Sequence, residues 1–247
     1  MFLSITPRYR LLDLFGIPIY IDITFLFLLL FFAMSGATLA HGIAEAIILA
    51  FSVILHELGH SLTAQAFGYR TNDITISLIG GCASIIGMPR KAWQEFLTAL
   101  AGPLVSFALS AVGFAILAFM PIENHWLADQ IWYLTMVNFI LGCFNLLPGF
   151  PMDGGRIFRS VLRTFLSRAK ATFVAMCVGR VFAVLLGLTG LHAIIHGGPW
   201  GWVRIFIAWM IWQEGYREYR QALAEEDFRH WSQADFNARV SPPPYDL

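Results

Sequence analysis

The sequence predicts an all-α polytopic membrane protein of about six transmembrane helices, with a small membrane-associated β-hairpin or sheet on the cytosolic side. Three observations lead there. Hydrophobic residues make up 57% of the 247 and charged residues only 13%, against about 25% charged in a soluble domain. Several apolar runs approach or exceed the ~20 residues that cross a hydrocarbon core. Every Lys and Arg except Arg180 and Arg204 falls at the N-terminus, after the second or fourth of those runs, or in the C-terminal segment, the asymmetry that marks the cytosolic side. Net charge is zero, and no basic stripe calls for nucleic acid. Cys82, Cys143 and Cys177 are odd in number and unrelated in spacing, so they read as small apolar residues, not as a disulfide framework or a zinc site.

Taken in order, residues 1–16 carry Arg8 and Arg10, and Gly16-Ile17-Pro18-Ile19-Tyr20-Ile21 alternates as a short extended segment entering the membrane. The first span covers about 22–40. Its apolar part, 17–34, exceeds the usual ~7–15 residues of a signal peptide, so it is expected to be retained despite Ser35-Gly36-Ala37. Asp22 is costly against lipid and is expected at the interface in preference to a protein-facing position. The second span, 42–67, ends at Gly68, a plausible helix stop. Two alternating β-branched runs in 74–86 flank Gly80-Gly81 and predict a hairpin turning at those glycines. Further spans follow at 96–120, 130–147, 171–195 and 200–214. Residues 157–170, with Arg159, Arg163, Arg168 and Lys170 among apolar positions, read as an amphipathic helix on an anionic surface. Residues 1–216 thus form one membrane domain and 217–247 a polar tail, with both ends cytosolic and a prokaryotic plasma membrane as the expected location. Pro242-Pro243-Pro244-Tyr245 reads as a disordered terminus.

The chemistry lies in two stretches. His56-Glu57-Leu58-Gly59-His60 falls inside the second span. On a helix its histidines share one face, so both imidazoles can bind one zinc ion while Glu57 approaches the open side. His60 precedes Gly68 by eight residues, which places the metal about 12 Å inside the membrane and requires a water-filled access path. Catalytic zinc takes three protein ligands and keeps a position for water. The second stretch, Asn145-Leu146-Leu147-Pro148-Gly149-Phe150-Pro151-Met152-Asp153-Gly154-Gly155, directly follows an apolar run. Spans two and four run in the same direction, so their cytosolic ends lie at similar depths, and Asp153 is the expected third ligand. Glu57 would then accept a proton from water and pass it to a leaving amine, with Asn145 able to donate to a developing oxyanion.

These two motifs, with Ala101-Gly102-Pro103 in the intervening span, resemble the site-2 proteases, intramembrane zinc metalloproteases that cleave membrane-anchored regulators. The resemblance covers about residues 12–215. It implies that His56, His60 and Asp153 hold zinc, that Glu57 is the base, and that Asn145 holds or polarises substrate. It also implies that the 74–86 hairpin adjoins the site, with Gly80, Gly81 and Pro148 as substrate-positioning candidates. The implied partner is a single-span membrane protein, such as an anti-sigma factor or a similar tethered regulator, in the lipid bilayer; homo-oligomer formation is left open. Members often carry histidine where this chain has Asp22 and asparagine near Ser106, and no PDZ or CBS domain is expected in a chain resembling a minimal core.

Competing readings are weaker. A metal transporter needs ligands along a path, and a zinc-stabilised scaffold has no need of Glu57. His192 and His196, another four-residue pair, lack a nearby carboxylate in sequence and fit an interfacial helix end. Arg180 and Arg204 fit structural pairing or snorkelling.

Overall fold

The computed structural model describes residues 7–35, 38–77, 80–86, 91–198 and 200–240, in two compact units, Met1–Leu147 and Pro148–Leu247. The first unit begins with β1 (Arg8–Leu14) and β2 (Ile17–Asp22), an antiparallel pair with Leu14 opposite Ile17. Phe15 and Gly16 make the turn, with φ of 52° and 76°. Two successive positive φ values define the hairpin turn whose twist matches that of the strands. β2 runs directly into α1 (Ile23–Ser35). Asp22 is buried, and its Oδ1 accepts from the Thr24 backbone N–H at 2.8 Å. The carboxylate therefore caps a helix and faces protein, which corrects the interface expected for it.

Thr38 caps α2 (Leu39–Ala66), its side chain accepting from His41 N–H. The helix stops as expected. Gly68 takes φ +84°, and the Gly68 and Tyr69 N–H groups return to the carbonyls of Gln65 and Ala64, satisfying acceptors that a helix end leaves open. β3 (Arg70–Ser77) then pairs parallel to β2 and antiparallel to β4 (Gly80–Ile86), giving a four-stranded sheet in the order β1-β2-β3-β4. The hairpin is present, but its turn is displaced from the expected position. Gly80 already pairs with Ser77 and Gly81 with Ile76, so both glycines belong to β4; residues 78–79 lie outside the described residues. Ile17, Ile19, Ile74 and Ile76 are fully buried and cluster with Val53, Ile54 and Leu58 of α2. Alternation puts each strand's pair on one sheet face. Because Leu58 lies within the His-Glu-Leu-Gly-His stretch, that face fixes the rotation of the motif helix.

α3 (Ala92–Phe119) and α4 (His125–Asn145) complete the first unit. A Cβ on Gly59 would lie 2.9 Å from the Ala101 carbonyl oxygen, so α2 and α3 approach closely through a glycine of the motif itself. Between α2 and α4, Asn138 Nδ2 donates to Ser52 Oγ at 2.8 Å, a buried polar contact of the kind that holds membrane helices together.

The second unit contains α5 (Asp153–Leu162), α6 (Arg168–Ile195) and α7 (Gly201–Val240). Here the expected surface helix over 157–170 is corrected. α5 starts earlier and ends earlier; Arg159 is 2% exposed and donates to Glu218 of α7 at 2.7 Å. Its charge is matched by protein, because acidic residues far along the chain supply a partner that local periodicity does not reveal. α7 continues as one helix through the polar segment after Glu214, about 60 Å in all. The Pro242–Tyr245 segment lies outside the described residues. Among the described residues α2, α3, α4 and α6 are long and apolar enough to cross a membrane. α1, at 13 residues, is shorter than the ~20 that span a hydrocarbon core, and α7 is apolar only in its first part, so four of the six expected spans are met by length and composition.

Candidate metal centre

His56 and His60 point the same way from α2, 3% and 5% exposed. Each ring is held from behind. His60 Nδ1 donates to the Thr98 carbonyl oxygen at 2.7 Å, and His56 Nδ1 lies 2.9 Å from Ser106 Oγ, both partners on α3. Outer partners on Nδ1 fix ring orientation in metal-binding histidines and direct Nε2 to the metal. The two Nε2 atoms are 3.2 Å apart. Tetrahedral zinc with Zn–N bonds of ~2.0–2.1 Å would hold two nitrogens about 3.3 Å apart, so the donor set fits the metal.

The space in front of the rings is kept open by Gly102. A Cβ there would sit 2.2 Å from His60 Nε2 and 2.7 Å from His56 Nε2, in the volume a ligated ion needs. We predict that Gly102→Ala lowers zinc affinity by about 100-fold or more, read as zinc per chain by elemental analysis after dialysis. Native zinc content in this variant would remove the ring pair from the metal site.

Glu57, half-buried, is directed to the sheet. A Cβ on Gly81 would lie 2.3 Å from Glu57 Cγ, so the β4 backbone passes directly against the carboxylate side chain. Gly81→Ala must turn Glu57 aside. Displacements of about 1 Å at a reacting group cost roughly 100-fold in rate, so kcat should fall by about 10- to 100-fold with zinc content unchanged; an unchanged kcat would show that Glu57 needs no such clearance.

The other residues singled out in the sequence are placed individually. Gly80 opens β4 opposite Ser77. Asn145 is the last residue of α4, half-buried, with Nδ2 donating to the Leu141 carbonyl at 3.0 Å; that nitrogen carries a second hydrogen. In the second unit Pro148 is half-buried and precedes a segment of backbone-on-backbone contact, where Gly149 packs on Gly179 and Gly155 on Gly149. Asp153 begins α5 and is 6% exposed, a carboxylate at the positive end of a helix. Thr98 is the partner that sequence reasoning missed, since it serves through its backbone. Ser106 stood out only as a departure from a family pattern, and Gly102 only as a packing residue.

Two histidines with anchored Nδ1 atoms, on a helix able to cross a membrane and flanked by a carboxylate, define a membrane-embedded metallohydrolase type of centre. The model of peptidase family M50 matches residues 44–127 and 122–188. A zinc metalloprotease of Methanocaldococcus jannaschii is 39% identical over 74% of this chain and 53% of its own length, and stage IV sporulation protein FB of Bacillus subtilis is 28% identical over 68% and 56%. The solved structure of a site-2 protease from Methanocaldococcus jannaschii superposes with a TM-score of 0.65 at 31% identity, over 86% of this chain and 95% of that one. The chain belongs to peptidase family M50, the site-2 proteases, whose metal is zinc. It spans about half to two thirds of the length of the curated relatives it matches.

Proposed function

We propose that this protein is a zinc-dependent intramembrane endopeptidase that hydrolyses a peptide bond in or beside the transmembrane helix of a membrane-anchored regulator, releasing a cytosolic fragment. The observation that carries the reading is the pair of Nε2 atoms at 3.2 Å, each ring anchored through Nδ1, with Glu57 between them in sequence on a membrane-spanning helix. His56 and His60 are two zinc ligands and Asp153 the third. Its support is a buried carboxylate at the start of α5, in the Asn145–Gly155 stretch that carries the resemblance to the family. When bound, zinc supplies Lewis acidity, polarising the scissile carbonyl and making water nucleophilic near neutral pH.

The remaining work belongs to side chains. Glu57 takes the proton from the attacking water at a carboxylate oxygen and delivers it to the leaving amine nitrogen. Asn145, through the amide hydrogen not used on Leu141, donates to the oxygen on which negative charge develops. A substrate helix hides its peptide bonds, so it must unwind. The β4 backbone beside Glu57, with Gly80 and Gly81, offers the extended segment strand-like pairing, with Pro148 as a further substrate-positioning residue. The positive-inside distribution puts both termini and the sheet on the cytosolic side. A regulator as substrate accords with a relative whose name places it in sporulation.

The test compares membrane proteomes of cells carrying the natural protein or Glu57→Gln. Single-span proteins should accumulate in the variant while their soluble fragments vanish. No change under several stresses, with a phenotype on whole-gene deletion, would favour a zinc-stabilised scaffold.

A further inference from the structure

We infer that the Arg159–Glu218 ion pair positions the segment bearing Asp153, so that the charged half of α7 sets the geometry of the third zinc ligand. This inference rests on the assignment of Asp153 above.

Arg159 belongs to the helix that Asp153 begins and contacts the segment before it. It lies six positions after Asp153 on α5, and its guanidinium stands over the ring of Phe150, three positions before Asp153, at 5.0 Å from the ring centroid. Phe150 is 1% exposed. From this position Nη1 of Arg159 donates to Glu218 Oε2 at 2.7 Å, with side-chain exposures of 3% and 17%. A planar guanidinium can stack on an aromatic face while donating in its own plane, so one side chain binds the loop before the ligand, the helix after it and α7 together. Burial pushes the Glu218 carboxyl upward, but Arg159, Arg156 and Arg168 outweigh it and hold it below its ordinary value, so the pair is ionised at neutral pH.

Nearby contacts separate positioning from general adhesion. Arg168 pairs with Glu225 at 3.1 Å and Ala169 N–H donates to Glu226 Oε1 at 2.9 Å. Glu225 lies seven residues after Glu218, on the same face of α7. These two contacts tie α7 to the start of α6 and leave the Phe150–Asp153 segment untouched. Glu225→Gln is therefore a control that weakens the α6–α7 contact while leaving the Arg159–Glu218 hydrogen bond in place.

The experiment uses the full chain in nanodiscs, with zinc affinity measured by competition against a chromophoric chelator and melting followed in parallel. Glu218→Gln should weaken zinc about tenfold, the lower end of the effect of losing an outer-shell partner. Glu218→Asp should recover to within about threefold, and Glu225→Gln should lower the melting temperature with native zinc affinity. Native zinc affinity in Glu218→Gln, beside a large loss in Asp153→Ala, would overturn the positioning role and leave the ligand assignment standing. Native affinity in Asp153→Ala itself would overturn both. Equal losses in Glu218→Gln and Glu225→Gln would also overturn it, since packing alone would then explain the effect. Should Glu218→Gln not assemble, Arg159→Lys takes its place: weakened zinc with native melting supports the role, and native affinity overturns it.

Discussion

Replacing Glu57 by Gln abolishes hydrolysis while zinc stays bound at native stoichiometry. The substitution preserves shape and removes the basic oxygen, so the water loses its proton acceptor and the leaving amine its donor. General acid–base assistance is worth about 10²- to 10⁴-fold, and here one residue serves in both directions, so the loss should lie at or above the upper end, about 5 kcal/mol or more in the barrier. Neither histidine is touched. His56 remains held by Ser106 and His60 by the Thr98 carbonyl, so the metal has no reason to leave. Elemental analysis beside a cleavage assay separates this from a scaffold or a transporter, in which the same substitution should change little.

Asp153→Ala loses zinc and activity together. With one of the three proposed protein ligands gone, affinity should fall by more than the ~10- to 100-fold that accompanies loss of an outer-shell partner. The variant gives up the favourable charge at the N-terminus of α5, about 0.3–1 kcal/mol, partly offset by the high helix propensity of alanine, a change too small to unfold the helix. Retained zinc at native affinity would refute the assignment, and the search for the third ligand would reopen.

The chemistry was legible because it is local. A histidine pair at helical spacing, a carboxylate inside it and Gly68 as the stop each follow from a few adjacent residues, and the structure places two imidazoles and the helix end accordingly. The sheet was legible only in half. β3 and β4 alternate clearly, but β1 turns at Phe15-Gly16, and a phenylalanine at positive φ carries none of the Asn-Gly signal that marks such turns. The parallel pairing of β2 with β3 joins Ile19 to Ile74 across two intervening helices, a contact that no local pattern encodes. The displaced hairpin turn has a related cause: Gly80 and Gly81 suggest a bend, yet Gly81 is needed because β4 passes against Glu57. The fate of Arg159 was hidden for the same reason, since Glu218 lies 59 residues away.

The role of α3 shows where family patterns and physics meet. Its Gly102 reads as a packing glycine, and in the fold it leaves room in front of both Nε2 atoms. Ser106, near which the resemblance leads one to expect asparagine, supplies the oxygen beside His56 Nδ1. A hydroxyl and a side-chain amide can each pair with an imidazole nitrogen, so the departure keeps a polar partner beside His56.

The most direct measurement is the mass of the fragments released when the zinc-loaded protein, reconstituted in proteoliposomes, meets the single-span proteins that accumulate in Glu57→Gln cells. Cleavage within the apolar segment or a few residues from its border, abolished by Glu57→Gln, is the predicted result. Cleavage confined to a soluble domain far from the membrane, or none by protein with native zinc content, would contradict intramembrane proteolysis by this site.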